Sequence, residues 1–185
     1  LLFECNNTLL KDKKITFAFF EKQKKRNFIL SKEITSSKQA PTTEDRRYYS
    51  GAWFEEYTYL RIKEELALRD EDISMSLKIY RNDFSHNDNE IDVAFMFENK
   101  LYIIECKVSM NGYGKEPQHH IENYLYKLAA VSKDFGLIVR PYIFTLHKMD
   151  KLSEHSRENI KKRMRILGIC NIVDGIQLSK QNISF

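Results

Sequence analysis

Residues 89–107, NEIDVAFMFENKLYIIECK, constrain the fold more than any other part of the chain. Two runs of apolar, aromatic and β-branched residues flank a short polar turn, the pattern of a hairpin built from buried strands. Yet the stretch begins with Glu90 and Asp92 and closes with Glu105 and Lys107. Strand side chains alternate faces, so Leu101, Ile103, Glu105 and Lys107 point one way and Tyr102, Ile104, Cys106 and Val108 the other. A two-residue turn at Asn99-Lys100 sets Asp92 opposite Lys107, with Glu105 on its diagonal and all three on one face. Asn at the first position tolerates the positive φ of a type I′ turn. A three-residue turn, 98–100, would send Asp92 to the other face. The two-residue turn is the one expected.

Two carboxylates and a lysine at the end of a strand pair suit a hard divalent cation, Mg²⁺ or Mn²⁺, which keeps coordination sites for water and a substrate phosphate. The cation would polarise a phosphoryl oxygen and acidify a water, while the lysine positions that water or offsets developing charge. That chemistry is phosphodiester hydrolysis. The alternative is a buried Asp92–Lys107 ion pair with Glu105 at its rim. Against it, one lysine faces at least two acids, and desolvation makes a buried pair a weak source of stability.

The 185 residues bound the answer to one domain with a short appendage, and 42% hydrophobic content suffices for its core. No apolar run approaches the roughly 20 residues that span a bilayer. The start, LLFECNNTLL, lacks the basic region and cleavage site of a signal peptide. No membrane association is expected. Because the chain opens on Leu1, it is expected to be a fragment of a longer protein. Its three cysteines, Cys5, Cys106 and Cys170, are odd in number and far apart. They argue against a disulfide framework and for a cytoplasmic protein. The five histidines show no zinc-ligand spacing with cysteine.

Positive charge is concentrated early: residues 1–50 hold eleven Lys/Arg against six Asp/Glu, whereas the rest is nearly balanced. Runs such as KDKK and EKQKKR read either as a solvated face or as a phosphate-binding surface. ITFAFF (15–20) and NFIL (27–30) suggest two short strands. The polar, Pro41-containing stretch 31–51 reads as a linker, so residues 1–50 form a basic segment and residues 51–185 the main domain. There, GAWFEEYTYLRIKEELALRD predicts a largely buried helix, apolar on two sides. ISMSLKIY (73–80) alternates as a strand, and the hairpin follows. The later elements are a helix over QHHIENYLYKLAAVSKDF, a strand over GLIVRPYIFTL, a basic helix at about 153–167 and a short strand at CNIVDG. Pro141 suggests that its strand lies at an edge or a bulge. The order α-β-β-β-α-β-α-β predicts an α/β layered domain with a mixed sheet flanked by helices.

IDVAFMF-ENK-LYIIECK resembles the D…(D/E)xK core of the PD-(D/E)xK restriction-endonuclease-like superfamily, and the αβββαβ order from Gly51 to Leu146 matches its core. GAWFEEY, NEID, LYIIECK and NYLYKLAAV together resemble the endonuclease domain of CRISPR ancillary nucleases, where it follows a cyclic-oligoadenylate-sensing CARF domain. The resemblance covers about residues 50–175. It implies that Asp92 and Glu105 ligate the metal, that the Cys106 backbone carbonyl is a further ligand, and that Lys107 is the catalytic lysine. It also implies a glutamate from the first helix, Glu55 by the Trp-x-Glu pattern with Glu56 as its rival. Lys127 and Gln118 flank the apolar stripe of the next helix; related nucleases use a polar residue of that helix near the scissile phosphate, and the alternative for both is a solvated flank. The substrate implied is DNA or RNA, the setting antiviral defence and the working form a homodimer. Two departures stand out: Ile91-Asp92 replaces Pro-Asp, and no sensor domain of the expected size precedes residue 50. Activation by cyclic oligoadenylate would therefore act only through a domain absent here, of which residues 1–50 would be the remnant. Two rival functions share this fold, a catalytically silent nucleic-acid-binding module and a structure-specific (junction) endonuclease.

Among the remaining residues, adjacent His119 and His120 point about 100° apart on a helix, which argues against a shared metal site. They are expected at the surface. His86 lies in the loop before Asp92, within possible reach of the site. Trp53 and Tyr57 are expected in the core rather than stacking on bases. Cys106 is expected to be inert packing, turned away from Glu105 and Lys107.

Overall fold

The computed structural model describes residues 2–3, 16–18, 29–31, 51–80, 89–110, 117–136, 138–178, 183 and 185. The loop containing His86 and the side chains of Gln118 and His119 lie outside the described residues. The chain divides into two units, Leu1–Glu44 and Asp45–Phe185. In the first, β1 (Leu2–Phe3), β2 (Thr16–Ala18) and β3 (Ile29–Ser31) form an antiparallel sheet in that order.

The second unit begins with helix α1 (Trp53–Glu65). Trp53, Phe54, Glu56, Tyr57, Thr58 and Ile62 are all buried, as expected for a helix apolar on two sides. Next come β4 (Ile73–Ile79), β5 (Asn89–Phe97), β6 (Lys100–Lys107), α2 (Pro117–Ser132), β7 (Val139–Thr145), α3 (Glu154–Leu167) and β8 (Asn171–Val173). The five strands lie in the order β4-β5-β6-β7-β8. Strands β4 to β6 pair antiparallel, and β6 to β8 parallel. This mixed sheet with helices matches the fold expected from the element order.

One face of the sheet packs against α2. Ala94, Ile103, Ile143 and Ile172 join Ile121, Leu125, Leu128 and Ala129 in a core that also takes in Ile160 of α3. Arg163 of α3 reaches Glu122 of α2 at 3.0 Å and lies 5.7 Å from the Tyr126 ring, tying the two helices together. The opposite face carries an aromatic cluster, Phe95, Tyr102, Tyr142 and Phe144, gathered around Phe185.

Two expectations need correction. The hairpin turn is two residues long, but it is Glu98-Asn99, with φ of +48° and +59°, rather than Asn99-Lys100. Phe97 pairs with Lys100 and Phe95 with Tyr102. This register stacks Phe95 on Tyr102 at 4.6 Å and 7°, a contact worth about 0.5–1.5 kcal/mol beyond burial. A register two residues away would lose that stack. An even shift leaves every face assignment intact, so Asp92 stays with Glu105 and Lys107, now one step beyond the Val93–Ile104 pair and therefore across from Glu105.

The second correction concerns Pro141, which lies in a strand with neighbours on both sides. The Pro141 carbonyl accepts the Cys170 N–H at 2.9 Å. The missing Pro141 N–H would point to that same side, where β8 begins only opposite Tyr142. No ladder bond is lost, so an interior proline is tolerated.

Candidate active site

The hairpin register and the parallel β6–β7 pairing bring Asp92, Glu105 and Lys107 to the α2-covered face. Thr145, fully buried, stands beside Lys107 on β7. Asp92 is 7% exposed and Glu105 4%. The Cys106 N–H donates to Asp92 Oδ2 at 2.6 Å, which fixes one carboxylate oxygen against the β6 backbone. Lys107 Nζ lies 2.7 Å from Glu105 Oε1, 2.9 Å from the Cys106 carbonyl oxygen and 3.4 Å from Asp92 Oδ2. One positive centre thus faces three oxygens from three successive groups of the hairpin. Opposite Asp92 on β4, the ladder is interrupted at Ser76, whose φ is +54°. This is a left-handed, strained position for a residue with a side chain.

Burial raises the Asp92 carboxyl above the ordinary aspartate range, and the Glu105 charge raises it further; Lys107, the Cys106 N–H and Lys127 only partly oppose this. Burial by itself would lower Lys107, but the Asp92 and Glu105 carboxylates outweigh it and hold the ammonium above the ordinary lysine value. Two acids are therefore pressed together and tolerated because cations lie between them. A bare Asp92–Lys107 pair with Glu105 at the rim does not describe this site, since Glu105 is the more buried acid and the nearer to Lys107.

Two residues of α2 complete the cluster. Lys127 Nζ contacts both oxygens of Glu105, at 3.2 and 3.3 Å, so it is a site neighbour rather than a solvated flank. The Tyr124 ring lies 5.3 Å from Lys107 Nζ, a cation–π contact. Tyr124 reads in the sequence as one more member of the apolar stripe. Its three-residue spacing from Lys127, which puts both on one helix flank, is the signal that could have singled it out.

Helix α1 packs against β6, where Thr58 and Glu55 act on the Cys106 thiol. Burial, reinforced by the Asp92 charge, pushes that thiol well above its ordinary value, in keeping with inert packing. Glu55 lies on the same helix flank as buried Thr58 and Ile62 and is half-buried, whereas Glu56 is 6% exposed. Neither is an ordinary solvated charge. His120 is part-buried, with an enclosed Nε2, rather than a surface histidine.

Two carboxylates and a main-chain carbonyl converge on one cationic point, a hard-oxygen donor set that fits Mg²⁺ or Mn²⁺. Among the described residues, no group of three or more His, Cys, Asp or Glu side chains that could hold a metal ion is gathered. Nor is any helix among the described residues long and apolar enough to cross a membrane.

No curated protein sequence matches the chain significantly. Among solved structures, protein VC1899 from Vibrio cholerae matches with a TM-score of 0.55 and 26% identity, over 76% of this chain and 34% of that one. Can2 from Sulfobacillus thermosulfidooxidans, solved with cyclic tetra-adenylate, matches with a TM-score of 0.56 and 24% identity, over 77% of this chain and 38% of that one. The chain thus spans little more than a third of the length of these relatives. Residues 42–174 match the family described as "Card1-like, endonuclease domain". The kinship expected from GAWFEEY, NEID, LYIIECK and NYLYKLAAV is met, and the chain belongs to the Card1-like endonuclease-domain family.

Proposed function

We propose that this nuclease domain hydrolyses phosphodiester bonds in DNA or RNA with the aid of Mg²⁺ or Mn²⁺. The residues assigned to the cation are Asp92, Glu105, the Cys106 backbone carbonyl and a glutamate of α1, Glu55 with Glu56 as the alternative. The observation that carries the reading is the convergence of Glu105 Oε1, the Cys106 carbonyl and Asp92 Oδ2 on Lys107 Nζ, at 2.7, 2.9 and 3.4 Å. A structural ion pair needs one carboxylate; this lysine has two and a carbonyl. When bound, the cation would supply positive charge to a phosphoryl oxygen and ease deprotonation of the attacking water.

The chain's own groups do the rest. The Cys106 N–H holds Asp92 Oδ2 beside Lys107, which fixes the orientation of that carboxylate before any cation binds. Burial of both acids keeps bulk water from screening them. The Lys107 side chain is 24% exposed, so its ammonium can turn from the carboxylates toward the attacking water and the charge developing on phosphorus. The Tyr124 ring backs that ammonium. Lys127 and Gln118, both on α2, are assigned to the nucleic-acid strand. By likeness to the relatives we assign the domain to CRISPR-linked antiviral defence in the cytoplasm and its working form to a homodimer. Gating by a cyclic oligoadenylate, as the complex of Can2 suggests, is assigned to a domain outside the matched region.

The test is cleavage of labelled single-stranded and supercoiled nucleic acids in Mn²⁺, Mg²⁺ or EDTA, comparing wild type with Glu105→Ala and Lys107→Ala. Metal-dependent cutting that disappears in both folded variants supports the reading. Cutting that persists in EDTA, or in both variants, refutes it. Binding without cutting under every condition, with cyclic tetra-adenylate added to a full-length protein, favours the silent binding module.

A further inference from the structure

The Glu105 carboxylate is shared by two lysines that hold it very differently. Lys107 is 24% exposed, touches three oxygens and lies against the Tyr124 ring. Lys127 is 44% exposed, and among the described residues its ammonium straddles the two oxygens of Glu105 alone. With both acids ionised, two carboxylates and two ammoniums cancel in a pocket that is largely buried. Adding a divalent cation would leave two uncompensated positive charges among these groups, or one where a glutamate of α1 joins the ligands, and a low-dielectric pocket strongly disfavours either. One ammonium must give way. Lys127 has fewer partners and more solvent around it, so it is the one that leaves.

We propose that Lys127 is an exchangeable cation: its ammonium occupies Glu105 until a divalent cation takes that carboxylate, and is then released to bind a phosphate of the nucleic-acid strand. The inference rests on the metal-dependent reading above and adds the regulation of the same site. α2 is anchored by buried Leu125, Leu128 and Ala129, so release of Lys127 is a side-chain movement beside the site rather than a shift of the helix. Its consequence is linkage: cation binding creates a strand-binding charge that the cation-free protein keeps occupied, and strand binding favours cation entry in return. The sequence shows only a lysine on a helix flank; the exchange follows from its bidentate contact with a buried acid that a second lysine already neutralises.

The experiment compares wild type, Lys127→Met and Lys127→Arg in two titrations. Mn²⁺ binding is read from the paramagnetic resonance of free Mn²⁺. Strand binding is read by anisotropy of fluorescein-labelled oligo(dT) and oligo(rU), in EDTA and in Ca²⁺. Exchange predicts that Lys127→Met binds Mn²⁺ about two- to fivefold more tightly, the scale of a half-exposed ion pair. It also predicts that this variant loses strand affinity in Ca²⁺ while matching wild type in EDTA. Lys127→Arg keeps the charge but grips a carboxylate with a planar fork, so it should bind Mn²⁺ more weakly than wild type. A general field effect would leave the arginine variant unchanged. Equal Mn²⁺ affinity in all three proteins, or an equal loss of strand affinity in EDTA and Ca²⁺, overturns the exchange alone. Failure of wild type to bind Mn²⁺ overturns the metal-dependent reading and the exchange with it.

Discussion

Replacing Lys107 with methionine removes the one positive centre that Glu105, Asp92 and the Cys106 carbonyl share, while keeping most of the side-chain volume. At an effective dielectric near 20, the 2.7 Å and 3.4 Å contacts are worth about 6 and 5 kcal/mol before desolvation. Most of that offsets the penalty of burying the charges, and breaking a buried pair by removing one partner costs about 3–5 kcal/mol net. Lys107 keeps 24% exposure, so water recovers part of the loss and about 2–4 kcal/mol is expected. In EDTA, the urea midpoint of Lys107→Met should therefore fall by about 1–2 M. Mn²⁺ should then stabilise the variant more than it stabilises wild type, because in the variant it also relieves the repulsion between Asp92 and Glu105. For scale, a ligand at about 100 times its dissociation constant contributes about 2.7 kcal/mol. Cleavage should be lost even with the metal bound. Equilibrium urea unfolding of both proteins, with and without Mn²⁺, decides the matter. An unchanged midpoint in EDTA, or a Mn²⁺ gain no larger than that of wild type, would show that Lys107 is not the charge holding the acids together.

Asp92→Asn should gain stability over wild type as pH rises. The raised Asp92 carboxyl contributes stability that is complete below its unfolded pKa and lost as pH climbs through the folded value, and asparagine escapes that loss while still accepting the Cys106 N–H. Unfolding in EDTA from pH 4 to 8 tests the sign, and a difference that shrinks with pH contradicts it. In native protein treated with iodoacetamide, mass spectrometry should find Cys170 alkylated and Cys106 untouched, since Cys106 is buried with a strongly raised thiol and Cys170 is exposed. Gly175→Ala should cost about 1–3 kcal/mol by thermal unfolding, because a β-carbon there would meet the Leu146 carbonyl oxygen at 2.5 Å. Ser76→Gly should instead stabilise by about 1 kcal/mol, relieving a φ of +54° in the strand beside Asp92; a lower melting temperature would show that the serine side chain matters more than the strain.

The parity of the hairpin was legible in NEIDVAFMFENKLYIIECK because strand alternation has a period of two. Any two-residue turn keeps Asp92, Glu105 and Lys107 on one face, and for this reason misplacing the turn by one residue, which shifts the register by two, left their shared face unchanged. Helix α1 was legible for a similar reason: Trp53, Tyr57 and Leu60 share one face and Tyr59, Ile62 and Leu66 another, and of these Trp53, Tyr57 and Ile62 are buried while the rest are half-buried. The position of Pro141 was not. Whether a missing N–H costs a ladder bond depends on where the neighbouring strand begins, and β8, distant in the chain from β6, begins only opposite Tyr142.

Local pattern by itself thus determined the elements, their order and the three polar residues that share a strand face, because each depends on spacing along one or two adjacent segments. The tertiary structure alone decided which of those residues touch. It set Asp92 across from Glu105 through the Phe95–Tyr102 register, placed Glu55 near Cys106 and brought Lys127 and Tyr124 over the carboxylates. A lysine on a helix flank reads the same whether it faces water or leans on a buried acid. The difference lies in how α2 crosses the sheet, which is settled by the packing of Ile121, Leu125 and Leu128 against strands distant in the chain.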